Sequence, residues 1–134
     1  MKQPANDNKP ENVLGKDLKP CCLDPITGFY RDGFCRTDVN DFGVHTICVI
    51  VSDEFLEFSQ KQGNDLITPN LEFDFPGLKE GDKWCLCISR WVEALKHEVA
   101  PPVVLESSHK RCLEYVPLNV LKEYQYKNNA KKNN

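Results

Sequence analysis

Residues 44–51 read VHTICVIV, and residues 84–88 read WCLCI. The first run is apolar and rich in β-branched residues, which predicts a strand. The second alternates large apolar side chains with smaller ones. A strand there puts Trp84, Leu86 and Ile88 on one face and Lys83, Cys85, Cys87 and Ser89 on the other. The bulkier set makes the better core face, so both thiols share the less apolar side.

Working outward, Ser52 is a natural N-cap, and Asp53 and Glu54 complement the dipole of a helix over 53–62 that ends at Gly63. Ser89 is expected to cap a short helix through His97, with Trp91, Val92 and Leu95 on its buried face. A third strand is expected over 103–105, after Pro101-Pro102. Ser107 or Ser108 then caps another helical turn. Pro117 starts a last helix to about Gln125, buried through Leu118 and Leu121. Strands alternating with helices give an α+β fold, with α/β as the alternative. Its small sheet has about three or more strands, with short helices packed on it.

Two segments are irregular. Residues 20–43 are dense in turn formers, and Phe29-Tyr30-Arg31, Asp32-Gly33, Phe34-Cys35-Arg36 reads as a hairpin. Residues 63–82 form a long connection in which Leu71, Phe73 and Phe75 alternate, as a short strand or a segment lying over the core. The globular domain spans 13–126. The Asn- and Lys-rich ends, 1–12 and 127–134, are expected to be disordered.

The chain has 134 residues, 17 basic and 20 acidic, for a formal charge of −3. The basic tail hides a more acidic body: residues 13–126 carry 12 basic and 18 acidic side chains. Such a body is a poor partner for nucleic acid. No apolar run is long enough to cross a bilayer, and no leader-like stretch follows the first lysine. These features, with an odd count of seven cysteines, predict a cytoplasmic protein with reduced thiols.

Several blocks of residues are distinctive as blocks. They are Pro20-Cys21-Cys22-Leu23-Asp24-Pro25, Thr27-Gly28-Phe29-Tyr30-Arg31-Asp32-Gly33 with Cys35-Arg36-Thr37, Gly43-Val44-His45-Thr46 with Cys48, and Gly63-Asn64-Asp65-Leu66 with Thr68-Pro69. Phe75-Pro76-Gly77-Leu78, Gly81-Asp82, Trp84-Cys85-Leu86-Cys87, Arg90-Trp91 and Ala100-Pro101-Pro102-Val103 with His109 complete the set. Together they resemble the bacterial domain of unknown function 2237 over residues 13–124. The resemblance implies a single-domain bacterial protein and supplies no activity. Cys112 lies outside these blocks.

The candidate chemistry is thiol chemistry. Cys85 and Cys87 lie two residues apart on a strand, about 6.5–7 Å between Cβ atoms, too far for a bridge to each other. Each is placed to bond a third cysteine, or both to ligate a soft metal. Cys22 and Cys35 are the other candidates, and Cys22, Cys35, Cys85 and Cys87 are the alternative metal set, zinc being the ion they would suit. No C-x₂-C knuckle supports that set, so no cofactor is predicted.

His45 and Cys48 face opposite ways in a regular strand and converge only through a bulge. His109, in a first helical turn, is a neutral base or a capping residue. Arg36 and Arg90 are candidate anion clamps, or partners of nearby acids. The preferred reading is a small thiol-dependent enzyme or a binding domain for a small anionic molecule, with cysteine as nucleophile, histidine as base and arginine as clamp. The alternatives are a cysteine-ligated metal domain and a non-catalytic interaction module with structural cysteines.

Overall fold

The computed structural model describes residues 9–127. Strand β1, His45–Ile50, pairs antiparallel with β2, Lys83–Cys87. The register sets Ile47 opposite Leu86, Cys48 opposite Cys85 and Val49 opposite Trp84. Ile47, Val49, Trp84 and Leu86 therefore share the face expected to be core, and all four are buried.

Helix α1, Asp53–Lys61, begins at Ser52, whose hydroxyl accepts from the Phe55 N–H as a cap should. Gln62 closes the helix, and Gly63 just beyond it has φ +98°, where glycine is favoured. Helix α2, Ile88–Lys96, follows β2 without a loop. Its N-cap is Cys87 rather than Ser89, because the Ile88 N–H is already held by the Val44 carbonyl at 3.0 Å. Trp91 of α2 is fully buried, and its indole N–H donates to the Pro101 carbonyl at 3.0 Å. Truncating such a residue costs roughly 3–5 kcal/mol. Helix α3, Leu118–Glu123, starts after Pro117 as expected and buries Leu121.

Four local expectations are corrected. Among the described residues the sheet has two strands, not the three or more expected. The segment at Val103 runs beside β1, with Ile50 N–H donating to Pro102 O and Val104 N–H to Cys48 O, but it forms only an isolated bridge to Val49. Pro101 and Pro102 lack N–H donors, which shortens any ladder there. The 29–36 hairpin is instead a coil of turns, closed by Gly33 N–H on Thr27 O and Cys21 N–H on Gly33 O. The turn after Ser108, Lys110–Glu114, is a 3₁₀ helix capped by His109 rather than by a serine. The 63–82 connection contains the 3₁₀ turn Leu71–Phe73, whose own side chains stay exposed, and sends Leu66, Phe75 and Leu78 into the core, Phe75 against Trp84 at 5.2 Å.

Residues 10–12 are bonded into the body. The Leu18 N–H donates to Pro10 O, and the buried Asn12 amide donates to Asp17 O and Glu106 O. The rest of the two segments expected to be disordered lies outside the described residues, Lys9 and Lys127 aside. No helix of the described residues is long and apolar enough to cross a membrane.

The thiol face carries the largest departure. Cys48 and Cys85 are cross-strand neighbours, and each is bonded to the turn-rich segment: Cys21–Cys48 and Cys35–Cys85 are disulfides. The four sulfurs form a second buried cluster, with Val104 packed on it. Reduced thiols were expected throughout; only Cys22, Cys87 and Cys112 are free. Segment 21–35 leaves Leu23, Ile26 and Phe29 exposed, and the two bonds hold it on the sheet.

Candidate active site

The pairing of β1 with β2 is irregular between His45 and Ile47. By alternation His45 belongs on the face of Ile47. The extra residue, Thr46, absorbs one step and turns His45 onto the thiol face, directly opposite Cys87. The backbone is tight at this point. Val44 has φ +51°, a left-handed conformation that β-branched residues rarely adopt, and Thr46 N–H donates back to Val44 O at 2.9 Å. Strain of this kind persists only where the surroundings impose it. Here Val44 O also receives the Ile88 N–H, which ties the start of α2 to the bulge.

Asp41 completes the group. It lies in the 40–43 turn, with no exposed side-chain surface. Its Oδ1 sits 2.6 Å from His45 Nδ1, and its Oδ2 accepts from the His45 N–H at 2.8 Å and from the Thr37 hydroxyl at 2.9 Å. A buried carboxylate is tolerated because those donors replace water. With Nδ1 facing Asp41, the Nε2 edge is left for Cys87. Gly43 lies against both groups: a Cβ there would lie 3.2 Å from both Cys87 Sγ and His45 Nε2, and 2.6 Å from His45 Cε1. Only glycine leaves that space open.

The electrostatics follow. His45 is raised from 6.5 to about 9, first by hydrogen bonding with Cys87; burial opposes this, and Asp41 adds to it. Cys87 is also the N-cap of α2, where no side chain caps the helix. The first N–H groups of a helix have no intrahelical acceptor and favour negative charge beside them. The Ile88 N–H is held by Val44 O, which leaves those of Ser89 and Arg90 in the first turn. A thiol, an imidazole and a buried carboxylate in series, with those N–H groups following the sulfur, can generate a thiolate and stabilise an oxyanion.

Phe29 stacks on the His45 ring at 5.9 Å. Phe29, Arg31, His45 and Phe73 line a cavity of about 320 Å³.

The family model described as "Uncharacterized protein conserved in bacteria (DUF2237)" matches residues 11–125. The chain belongs to the DUF2237 family. No curated protein matches it.

The DUF2237 chain thus brings together two of the candidates named from sequence, His45 and Cys87. Two more, Cys35 and Cys85, are bonded to each other. Cys22 is free and half-buried, and its sulfur makes no hydrogen bond among the described residues. The metal set Cys22, Cys35, Cys85, Cys87 is not assembled. The sulfurs within 4.8 Å of one another are those of Cys21, Cys35 and Cys85, with Cys48 bonded to Cys21, because the 21–35 segment presents Cys21 rather than Cys22 to the sheet.

His109 is a cap: its Nδ1 accepts the Arg111 N–H at 3.0 Å, and burial holds its pKa below 6.5. Both arginine candidates pair with acids, Arg36 with Asp32 at 2.6 Å and Arg90 with Glu93 at 3.2 Å. Cys48 is in a disulfide, as a structural residue can be. Cys112 is fully buried against Thr46, and burial pushes its thiol up to about 12.

Sequence reasoning missed Asp41, Gly43 and Arg31. Asp41 read as a turn former four residues before His45. The available signal was that Gly43 lets this turn fold back onto His45.

Proposed function

We propose that this DUF2237 protein is a thiol-dependent enzyme acting by nucleophilic catalysis, with Cys87 as nucleophile, His45 as its base and Asp41 as the group that orients the imidazole. The carrying observation is the bulge that sets His45 opposite Cys87, with Asp41 buried behind Nδ1. The Cys87 proton passes to His45 Nε2, and the thiolate attacks an electrophilic carbonyl carbon. The oxyanion is met by N–H groups at the start of α2. The leaving group departs with the proton from His45, and water then releases the acyl group from sulfur.

Pulse alkylation with iodoacetamide, read by peptide mass mapping, tests this reading. Cys87 is expected to react at least tenfold faster than Cys22 near pH 7, and Asp41→Asn to remove most of that advantage. Equal rates at Cys87 and Cys22 would overturn the assignment.

A second reading concerns the other thiols. Cytoplasmic residence requires the Cys21–Cys48 and Cys35–Cys85 bonds to survive a reducing thiol pool. Their burial, 5 % exposure at most, supports that survival by denying access to an attacking thiolate. If the pool does reduce them, the sulfurs of Cys21, Cys35 and Cys85, within 4.8 Å of one another, are a donor set suited to zinc. Acid-trapped protein with thiol counting and elemental analysis separates the two: three free thiols and no metal support the disulfides, seven thiols with one zinc the metal site.

A further inference from the structure

Of the four arginines, Arg31 stands apart. Arg36, Arg90 and Arg111 each face a carboxylate at 2.6, 3.2 and 3.5 Å. Arg31 has no carboxylate partner among the described residues. It is held by neutral groups instead: Nη1 donates to the Gly28 carbonyl at 2.7 Å, and the guanidinium lies 5.2 Å from the Trp84 ring centroid. A guanidinium braced from one side by a carbonyl and an aromatic face still presents donors to a planar anion.

Its position is equally distinctive. Arg31 and Phe73 line both the cavity at His45 and a neighbouring one of about 340 Å³ that also includes Trp84 and Asp65. The charge therefore stands at the junction of two small hollows, one of which opens on the catalytic imidazole. Both sit at the low end of ligand-pocket volumes, which suits a small molecule rather than a polymer. Phe29 is 39 % exposed and Phe73 67 %, so the walls are apolar and uncovered. Asp65, in the same lining as Arg31, disfavours a dianion such as a phosphate monoester and is compatible with a single carboxylate.

We propose that Arg31 is the anion anchor of the site and that the substrate is a small carboxylate-bearing compound. Its apolar body lies between Phe29 and Phe73, and its electrophilic carbon reaches Cys87. This rests on Cys87 being the reactive thiol, and the experiment is arranged to separate the two claims.

The probes are iodoacetate and iodoacetamide, which differ in charge at similar size. In each case the Cys87 sulfur forms a bond to carbon as the carbon–iodine bond breaks and iodide leaves. Rates at Cys87 and Cys22 are followed by mass mapping in the wild-type protein and in Arg31→Gln. The expected result is an iodoacetate-to-iodoacetamide ratio at Cys87 about tenfold above that at Cys22. Arg31→Gln should remove that preference, lowering the iodoacetate rate about tenfold more than the iodoacetamide rate. Phenylacetate should protect Cys87 from iodoacetate in the wild type, and inorganic phosphate at equal concentration should not.

A ratio unchanged by Arg31→Gln, or better protection by phosphate than by phenylacetate, overturns the carboxylate anchor while leaving the nucleophile intact. Loss of fast iodoacetamide labelling in the wild type overturns the nucleophile itself.

Discussion

Replacing Cys87 with alanine removes the strongest influence on His45. In the wild-type protein the imidazole titrates near 9, against an ordinary 6.5, and hydrogen bonding with the Cys87 sulfur is the largest cause. Without the sulfur, burial pulling down and Asp41 pulling up remain, so the midpoint should fall by more than a unit toward 6.5. The assay is NMR of the imidazole Cε1–H signals between pH 5 and 10.5. Only His45, His97 and His109 contribute, and His109 is held below 6.5 by burial, so the signals separate.

The same shift has a stability counterpart. A histidine whose pKa is raised in the fold contributes stability in full below its unfolded pKa, near 6.5, and loses it as pH rises through about 9. The difference between those values corresponds to about 3 kcal/mol. The His45 side chain is 32 % exposed, and solvent screening reduces that to roughly 1–2 kcal/mol. Urea denaturation at pH 6 and pH 9.5 should show this loss in the wild type and a smaller one in Cys87→Ala. A wild-type His45 midpoint at or below 6.5, or one unmoved by Cys87→Ala, would refute the pairing of thiol and imidazole.

Other outcomes follow from the same geometry. Gly43→Ala places a methyl 2.6 Å from the His45 ring and 3.2 Å from Cys87 Sγ. It should cost about 1–3 kcal/mol of stability and lower the alkylation rate at Cys87, read by denaturation and mass mapping. The double variant Cys21→Ser, Cys48→Ser opens a crosslink of sequence separation 27. Loop closure puts the loss at about 3.5 kcal/mol, and at about 4 kcal/mol for the separation of 50 between Cys35 and Cys85. The two loops overlap along the chain, so urea denaturation of the fourfold variant should show less than the sum. Cys112, fully buried with its thiol pushed up to about 12, should stay unlabelled by iodoacetamide at pH 8 until urea unfolds the chain.

The two strands, α1 with its Ser52 cap and the core face of Trp84, Leu86 and Ile88 were legible because each is written locally, in period, capping and side-chain volume. The site was legible only in part because it is built from exceptions to those local rules. Strict alternation along 44–51 puts His45 with Ile47, away from the thiols, and a single extra residue reverses that parity. Thr46 carries no glycine or other mark that announces it, and Val44 is a poor choice for the left-handed backbone it adopts. Such a residue is held there by what packs around it, in this case the Ile88 N–H on its carbonyl.

The disulfides escaped for a different reason. Sequence separations of 27 and 50 are closed by the tertiary path of the 20–36 segment, and a compartment argument from an odd cysteine count cannot see that path. Both exceptions act on the same pair of strands. The Cys48 and Cys85 bridges clamp the turn-rich segment, and with it Phe29 and Arg31, to the sheet. The bulge turns His45 onto that same face. A regular ladder would have turned the histidine away from Cys87; an unbridged segment would have kept the histidine and thiol but left Arg31 without a fixed place beside them.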